Sequence, residues 1–196
     1  IMGLVLTIQS RPTLIQFGAE SWLPGMVGLS LVREIAPVIT ALICAGKIGS
    51  GIGAELGAMK VTEQIDAMEV SAINPYKYLV VTRIMATTLM IPLLVIYADF
   101  IGVFGGFIGY NIHENISLYR YFSSVLESIE FLDIIPAIIK TVFFGFSIGL
   151  IGCYKGFNAE NGTESVGKAS NSAVVTASLT IFIIDMIAVQ ITDLFY

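Results

Sequence analysis

The sequence predicts an all-α integral membrane protein of about five transmembrane helices, with one amphipathic helix on the cytoplasmic side. Three observations carry this. The 196 residues are 56% hydrophobic and 13% charged, with mean hydropathy +0.85, whereas a soluble domain is nearer half apolar and a quarter charged. Several stretches hold the roughly 20 consecutive apolar residues that cross a bilayer core. Lys and Arg gather in alternate loops, the pattern that orients membrane helices.

The expected spans run at about 1–18, 24–44, 78–110, 134–154 and 174–194. The first is interrupted by Arg11 and Pro12, and the third is long enough to tilt. The chain opens on Ile1 inside an apolar run, shows no signal peptide, and reads as starting within its first span. Lys47, Lys60, Lys77 and Arg83 lie around the loop after the second span, and Lys155 and Lys168 in the loop after the fourth. The opposite side carries Glu20, Glu114, Glu127, Glu130 and Asp133 against Arg120 alone. The basic loops are therefore assigned to the cytoplasm, which puts the start of the chain inside and Tyr196 outside. Segment 111–133, polar with aromatics, reads as a short external helix. Segment 156–172, rich in Gly, Asn and Ser, reads as a cytoplasmic turn. No second domain is marked, so one membrane domain is expected over residues 1–196.

Other classes lack support. No basic patch points to nucleic acid. Cys44 and Cys153 lie in different apolar stretches and read as two packed thiols. Gly162 to Ala169 resembles a phosphate-binding loop, but Ala169 replaces the hydroxyl that would hold magnesium, and no strand precedes it. Gly51, Gly53 and Gly57 lack the dinucleotide spacing. Asn115 and Asn161 head chance glycosylation sequons. His113 is the only histidine, and no nucleophile, metal cluster or cofactor motif is visible, so the chain is not expected to be an enzyme by itself.

Small residues and charges carry more. Gly46, Gly49, Gly51, Gly53 and Gly57 cluster after the second apolar stretch, and Gly102, Gly105, Gly106 and Gly109 cluster in the third. Such spacing lets helices approach closely, within the chain or at a subunit contact. From Glu55 to Ile73, Leu56, Val61, Ile65, Met68 and Ala72 recur at mostly three- and four-residue steps, with Lys60, Thr62, Glu63, Asp66 and Glu69 largely opposite. Pro75 is expected to end this helix. Its acidic face suits a protein partner better than anionic lipid. Inside the spans, Lys140 and Asp185 lie at similar depth and are expected to pair, because either alone in the membrane is costly. Asp99 sits at comparable depth. Arg33 and Glu34 are adjacent, so they point in different directions, and they read as either packing charges or cavity charges.

Residues 31–80 resemble the MlaE family of lipid-transport permeases, the membrane subunits of ABC transporters associated with MCE proteins. The resemblance rests on LVREIAPVITALICAGKIGS, AELGAMKVTEQIDAMEV and INPYKYLVVTR. It extends more weakly through GCYKGFNAENGTESVGKASNSAVVTASLTIFIIDM. It implies a homodimer in the bacterial inner membrane, two copies of a cytoplasmic ABC ATPase below, and a periplasmic MCE-protein hexamer above. It implies that the helix at 54–73 couples to the ATPase through Glu55, Met59, Lys60, Glu63, Asp66 and Met68. It also implies that phospholipid occupies a cavity lined by Leu6, Thr13, Leu14 and Phe17 with Arg33 and Glu34. Arg11 and Pro12 depart from the family, as they fall where apolar or small residues are usual, and the family's amphipathic helix ahead of the first span has no counterpart before Ile1. The alternatives are an ion-coupled secondary transporter using Glu34, Lys140 and Asp185 as a relay, or a non-transporting scaffold for an ATPase or MCE protein.

Overall fold

The structure, a computed structural model, describes residues 1–160 and 162–194. The sequon at Asn161 and the placement of Tyr196 lie outside the described residues. The described chain is α-helical: α1 (Met2–Gln16), α2 (Leu23–Ser30), α3 (Ala36–Cys44), α4 (Ser50–Val61), α5 (Gln64–Val70), α6 (Thr82–Asn111), α7 (Leu118–Ser128), α8 (Phe131–Phe157) and α9 (Thr163–Asp193). Four helical stretches are long and apolar enough to cross a membrane: Glu20–Val61, Tyr76–Asn111, Phe131–Phe157 and Thr163–Asp193. The expected first span is the 15-residue α1, about 22 Å long at 1.5 Å per residue and short of the roughly 30 Å core. Its end is chemically defined. Gly18 takes φ +66°, its N–H donates to Ile15 O, and the Ala19 N–H donates to Leu14 O. This is the double bond of a Schellman stop, which favours glycine.

Between Glu20 and Val61 the helix widens twice into π turns, at Leu31–Ile35 and Ala45–Gly49. Pro37 accounts for the first. It has no N–H for the carbonyl of Arg33, and its ring would crowd that carbonyl, so the ladder loosens just before it. Pro75 likewise heads a third π turn, Tyr76–Val81.

Two segments differ from their sequence reading. The amphipathic stretch is two helices, α4 and α5, parted at Thr62 and Glu63, with Glu63 in the left-handed region at φ 59°. Thr62 Oγ1 donates to Ala58 O at 2.8 Å, a side-chain bond that competes with helix continuation. The second helix stops at Val70, with Ala72 also left-handed, and Pro75 starts the following element rather than ending this one. The turn expected at 156–172 is shorter, because α9 begins at Thr163. Tertiary packing overrides the poor helix propensity of its Gly, Asn and Ser. Ala169, Ala173 and Ala177 are buried, and a Cβ on Gly53 of α4 would stand 3.3 Å from that of Ala173.

The helices gather into two compact units: Ile1–Pro37 with Leu94–Ile138, and Val38–Leu93 with the chain from Ile139 onward. The core of the first is Leu23, Val27, Leu31, Val103, Tyr110, Tyr121 and Val125. Here α7 buries Tyr121 and Val125, and Val125 Cγ1 sits 2.5 Å from where a Cβ on Gly28 would be. Helix α7, expected from the sequence to be external, is therefore packed down by one face. The second unit has a core of Ile52, Leu56, Ile65, Leu79 and Cys153. In it, α8 meets α6 backbone to backbone, since a Cβ on Gly145 would lie 2.5 Å from Thr87 O.

Candidate functional site

In the first unit, the π turn Leu31–Ile35 carries Arg33 and Glu34. Widening the helix turns successive side chains through a smaller angle, and such turns recur at functional sites. Arg33 Nη1 stands 3.7 Å from Asp133 Oδ1, a buried carboxylate that also accepts from the Glu130 N–H at 3.1 Å. Glu34 is half-buried beside it in the chain. Sequence reasoning placed Asp133 among the external charges, so the Arg33 partner was missed; the signal available was its position in the first turn of an apolar helix.

The four expected lining residues, three on α1 and Phe17 at its C-terminal cap, divide by face. Leu6 and Leu14 pack against the first unit's core. Thr13 and Phe17, one turn apart, are exposed, Phe17 at 79%. Near the end of α1, Arg11 Nε bonds Glu20 Oε1 at 2.8 Å, and Arg11 Nη2 bonds Glu114 Oε1 at 3.2 Å. The Tyr110 hydroxyl donates to Glu114 Oε2 at 2.9 Å. That bond, supported by Arg11, holds the Glu114 carboxyl below its ordinary value of 4.5.

In the second unit, Lys140 Nζ donates to Asp185 Oδ1 at 2.9 Å, with side-chain exposures of 4% and 18%. Asp99, in the first unit, has a buried Oδ1 with no hydrogen-bond partner among the described residues. The α4–α5 end is also built from charge pairs. Lys60 Nζ meets Asp66 Oδ1 at 2.9 Å, and Glu55 Oε1 meets Arg83 Nη2 at 2.8 Å. Met59 and Met68 pack onto the second core, which leaves Glu63 and Asp66 exposed.

A polytopic helical chain with a charged, broken amphipathic segment after a glycine-rich helix matches one family along its length. The family described as Permease MlaE matches residues 1–191. The chain belongs to the MlaE permease family. Within that family's range, a probable ABC transporter permease protein of Rickettsia typhi is 41% identical over 181 residues, covering 92% of this chain and 70% of that protein. One of Rickettsia bellii is 40% identical over 196 residues, covering 99% and 74%. The Haemophilus influenzae intermembrane phospholipid transport system permease protein MlaE is 35% identical over 191 residues, covering 97% and 73%. This MlaE-family chain is thus a membrane permease of ABC-transporter type.

Proposed function

We propose that this MlaE-family permease moves phospholipid between the inner membrane and a periplasmic MCE carrier, driven by a separate cytoplasmic ATPase. The reading rests on the family match over residues 1–191 together with the phospholipid transport for which the Haemophilus relative is named. In it the permease is a homodimer, the ATPase binds below, and an MCE hexamer binds above. The basic loops face the cytoplasm by the charge bias of the loops, and the C-terminus is periplasmic.

Phospholipid lies between the two copies. Phe17 offers an exposed apolar surface for acyl chains with Thr13 one turn away, and Leu6 and Leu14 pack behind them. Arg33 holds a headgroup phosphate through its planar fork, and Glu34 meets a headgroup amine or hydroxyl. The coupling element is the α4–α5 break. Met59 and Met68 anchor it to the permease, Glu55 and Lys60 brace it, and Glu63 and Asp66 face the ATPase.

Photo-crosslinking probes at Phe17 and Glu34 test the cavity. Label transfer to phospholipid at both, but not at Leu179 on an exposed face of α9, is the expected result. Equal transfer at all three would mean ordinary bilayer contact. A Glu34–Lys140–Asp185 relay predicts transport that follows the proton gradient and persists without ATP; the proposal predicts the reverse.

A further inference from the structure

A cleft of about 490 Å³ lies within the second unit, bounded by α5, the π turn Tyr76–Val81 and the last turns of α8. Its size is within the 300–1,000 Å³ range of small-molecule sites. Ile65, Val80 and Leu150 form an apolar wall, and Lys60 and Glu69 put opposite charges on the same lining. Tyr76 and Phe157, also lining residues, stack with centroids 5.2 Å apart and planes 18° apart. Tyr76 is 60% exposed, so one ring face is open. The cleft sits where a long apolar helix begins at Tyr76 and another ends at Phe157, which is headgroup depth for any bilayer these helices cross.

We propose that this cleft binds one zwitterionic aminophospholipid of the surrounding leaflet, its phosphate at Lys60, its ammonium at Glu69 and Tyr76, and one acyl chain along Val80 and Leu150. Charge decides the headgroup. One ammonium, Lys60, stands with two carboxylates, its partner Asp66 at 2.9 Å and Glu69. A purely anionic headgroup would meet net negative charge, whereas a headgroup with both signs satisfies Lys60 and Glu69 together. The Lys60–Asp66 pair is exposed, and such pairs are weak enough to exchange for a phosphate oxygen. An ammonium over the open Tyr76 ring gains cation–π attraction. A partner protein's side chain could fill the same volume, and the experiment separates the two.

This site shares Lys60 with the proposed coupling segment, but its occupancy requires neither ATP nor a second copy, so it is tested apart from transport. The complete chain, with its ATPase, is placed in nanodiscs of mixed phosphatidylethanolamine and phosphatidylglycerol. Each lipid is supplied in turn with a photoreactive group on its acyl chain, and labelled peptides are mapped. The ethanolamine probe is expected to label the peptides carrying Val80 and Leu150 at least threefold more than the glycerol probe. Glu69→Gln, a change at an exposed position, should bring the two probes to parity, and Leu150→Trp, which fills the cleft, should abolish both. Leu179→Trp on α9 should change neither. Equal labelling by both probes in the unaltered chain, a preference that survives Glu69→Gln, or an ATPase peptide crosslinked in place of lipid would each overturn the proposal.

Discussion

Lys140 and Asp185 meet at 2.9 Å across α8 and α9, and the lysine is almost wholly buried. Each charge makes the other tolerable in an apolar helix pair. Removing one partner of such a pair typically costs about 3–5 kcal/mol, while replacing both with apolar residues is often neutral. Lys140→Met alone should therefore lose about that much stability, and Lys140→Met with Asp185→Leu should recover most of it. Equilibrium unfolding in mixed detergent micelles measures both. Additive losses in the double variant would show that the two residues act separately.

Gly145 is a packing position. A Cβ there would stand 2.5 Å from the carbonyl oxygen of Thr87 and 2.8 Å from the Cα of Thr88, and both are backbone atoms that cannot swing away. Gly145→Ala should cost about 1–3 kcal/mol, the usual range for overpacking. Gly51→Ala has open space around it and should cost no more than a surface change. Comparing the two in the same unfolding assay checks the expectation.

Glu63 and Asp66 are exposed on the α4–α5 segment. Reversing both to Lys should weaken retention of the ATPase by at least tenfold while leaving the elution of the permease unchanged. Asp66→Asn alone removes the 2.9 Å partner of Lys60 and should cost little stability, because exposed pairs contribute little. A pull-down of the ATPase at unchanged strength by the double Lys variant would remove this segment from the coupling role.

Glu114 ties acidity to the first unit. Its folded carboxyl titrates below 4.5 because Tyr110 donates to it and Arg11 lies beside it. A depressed carboxyl contributes stability that is fully present above its unfolded value and lost as pH falls through the folded one. The contribution of the Arg11–Glu114–Tyr110 contacts should thus be fully present at neutral pH and be lost as pH falls below the ordinary carboxyl range. Glu114→Gln should flatten that part of the thermal-stability profile. An unchanged acid limb in the variant would show that other carboxylates govern it.

The sequence by itself determined the class, most span positions and the family. Those follow from local quantities: apolar run length against bilayer thickness, loop charge, and an ordered string of residues such as LVREIAPVITALICAGKIGS. Lys140 and Asp185 were legible as partners because two charges at similar depth in apolar helices have few other options. What only the tertiary structure decided depends on contacts distant in the chain. The helical start of α9 at Thr163 follows from its alanines fitting against Gly53, where local propensity favours a turn. Asp133 as the partner of Arg33 is 100 residues away in sequence, beyond any periodicity argument. The cleft beside Tyr76 and Phe157 exists because the break at Thr62 and Glu63 ends α4 and lets α5 begin as a separate helix. A hydrophobic pattern registers a face that will be buried; it carries no information on which distant backbone will bury it or on the space left between them.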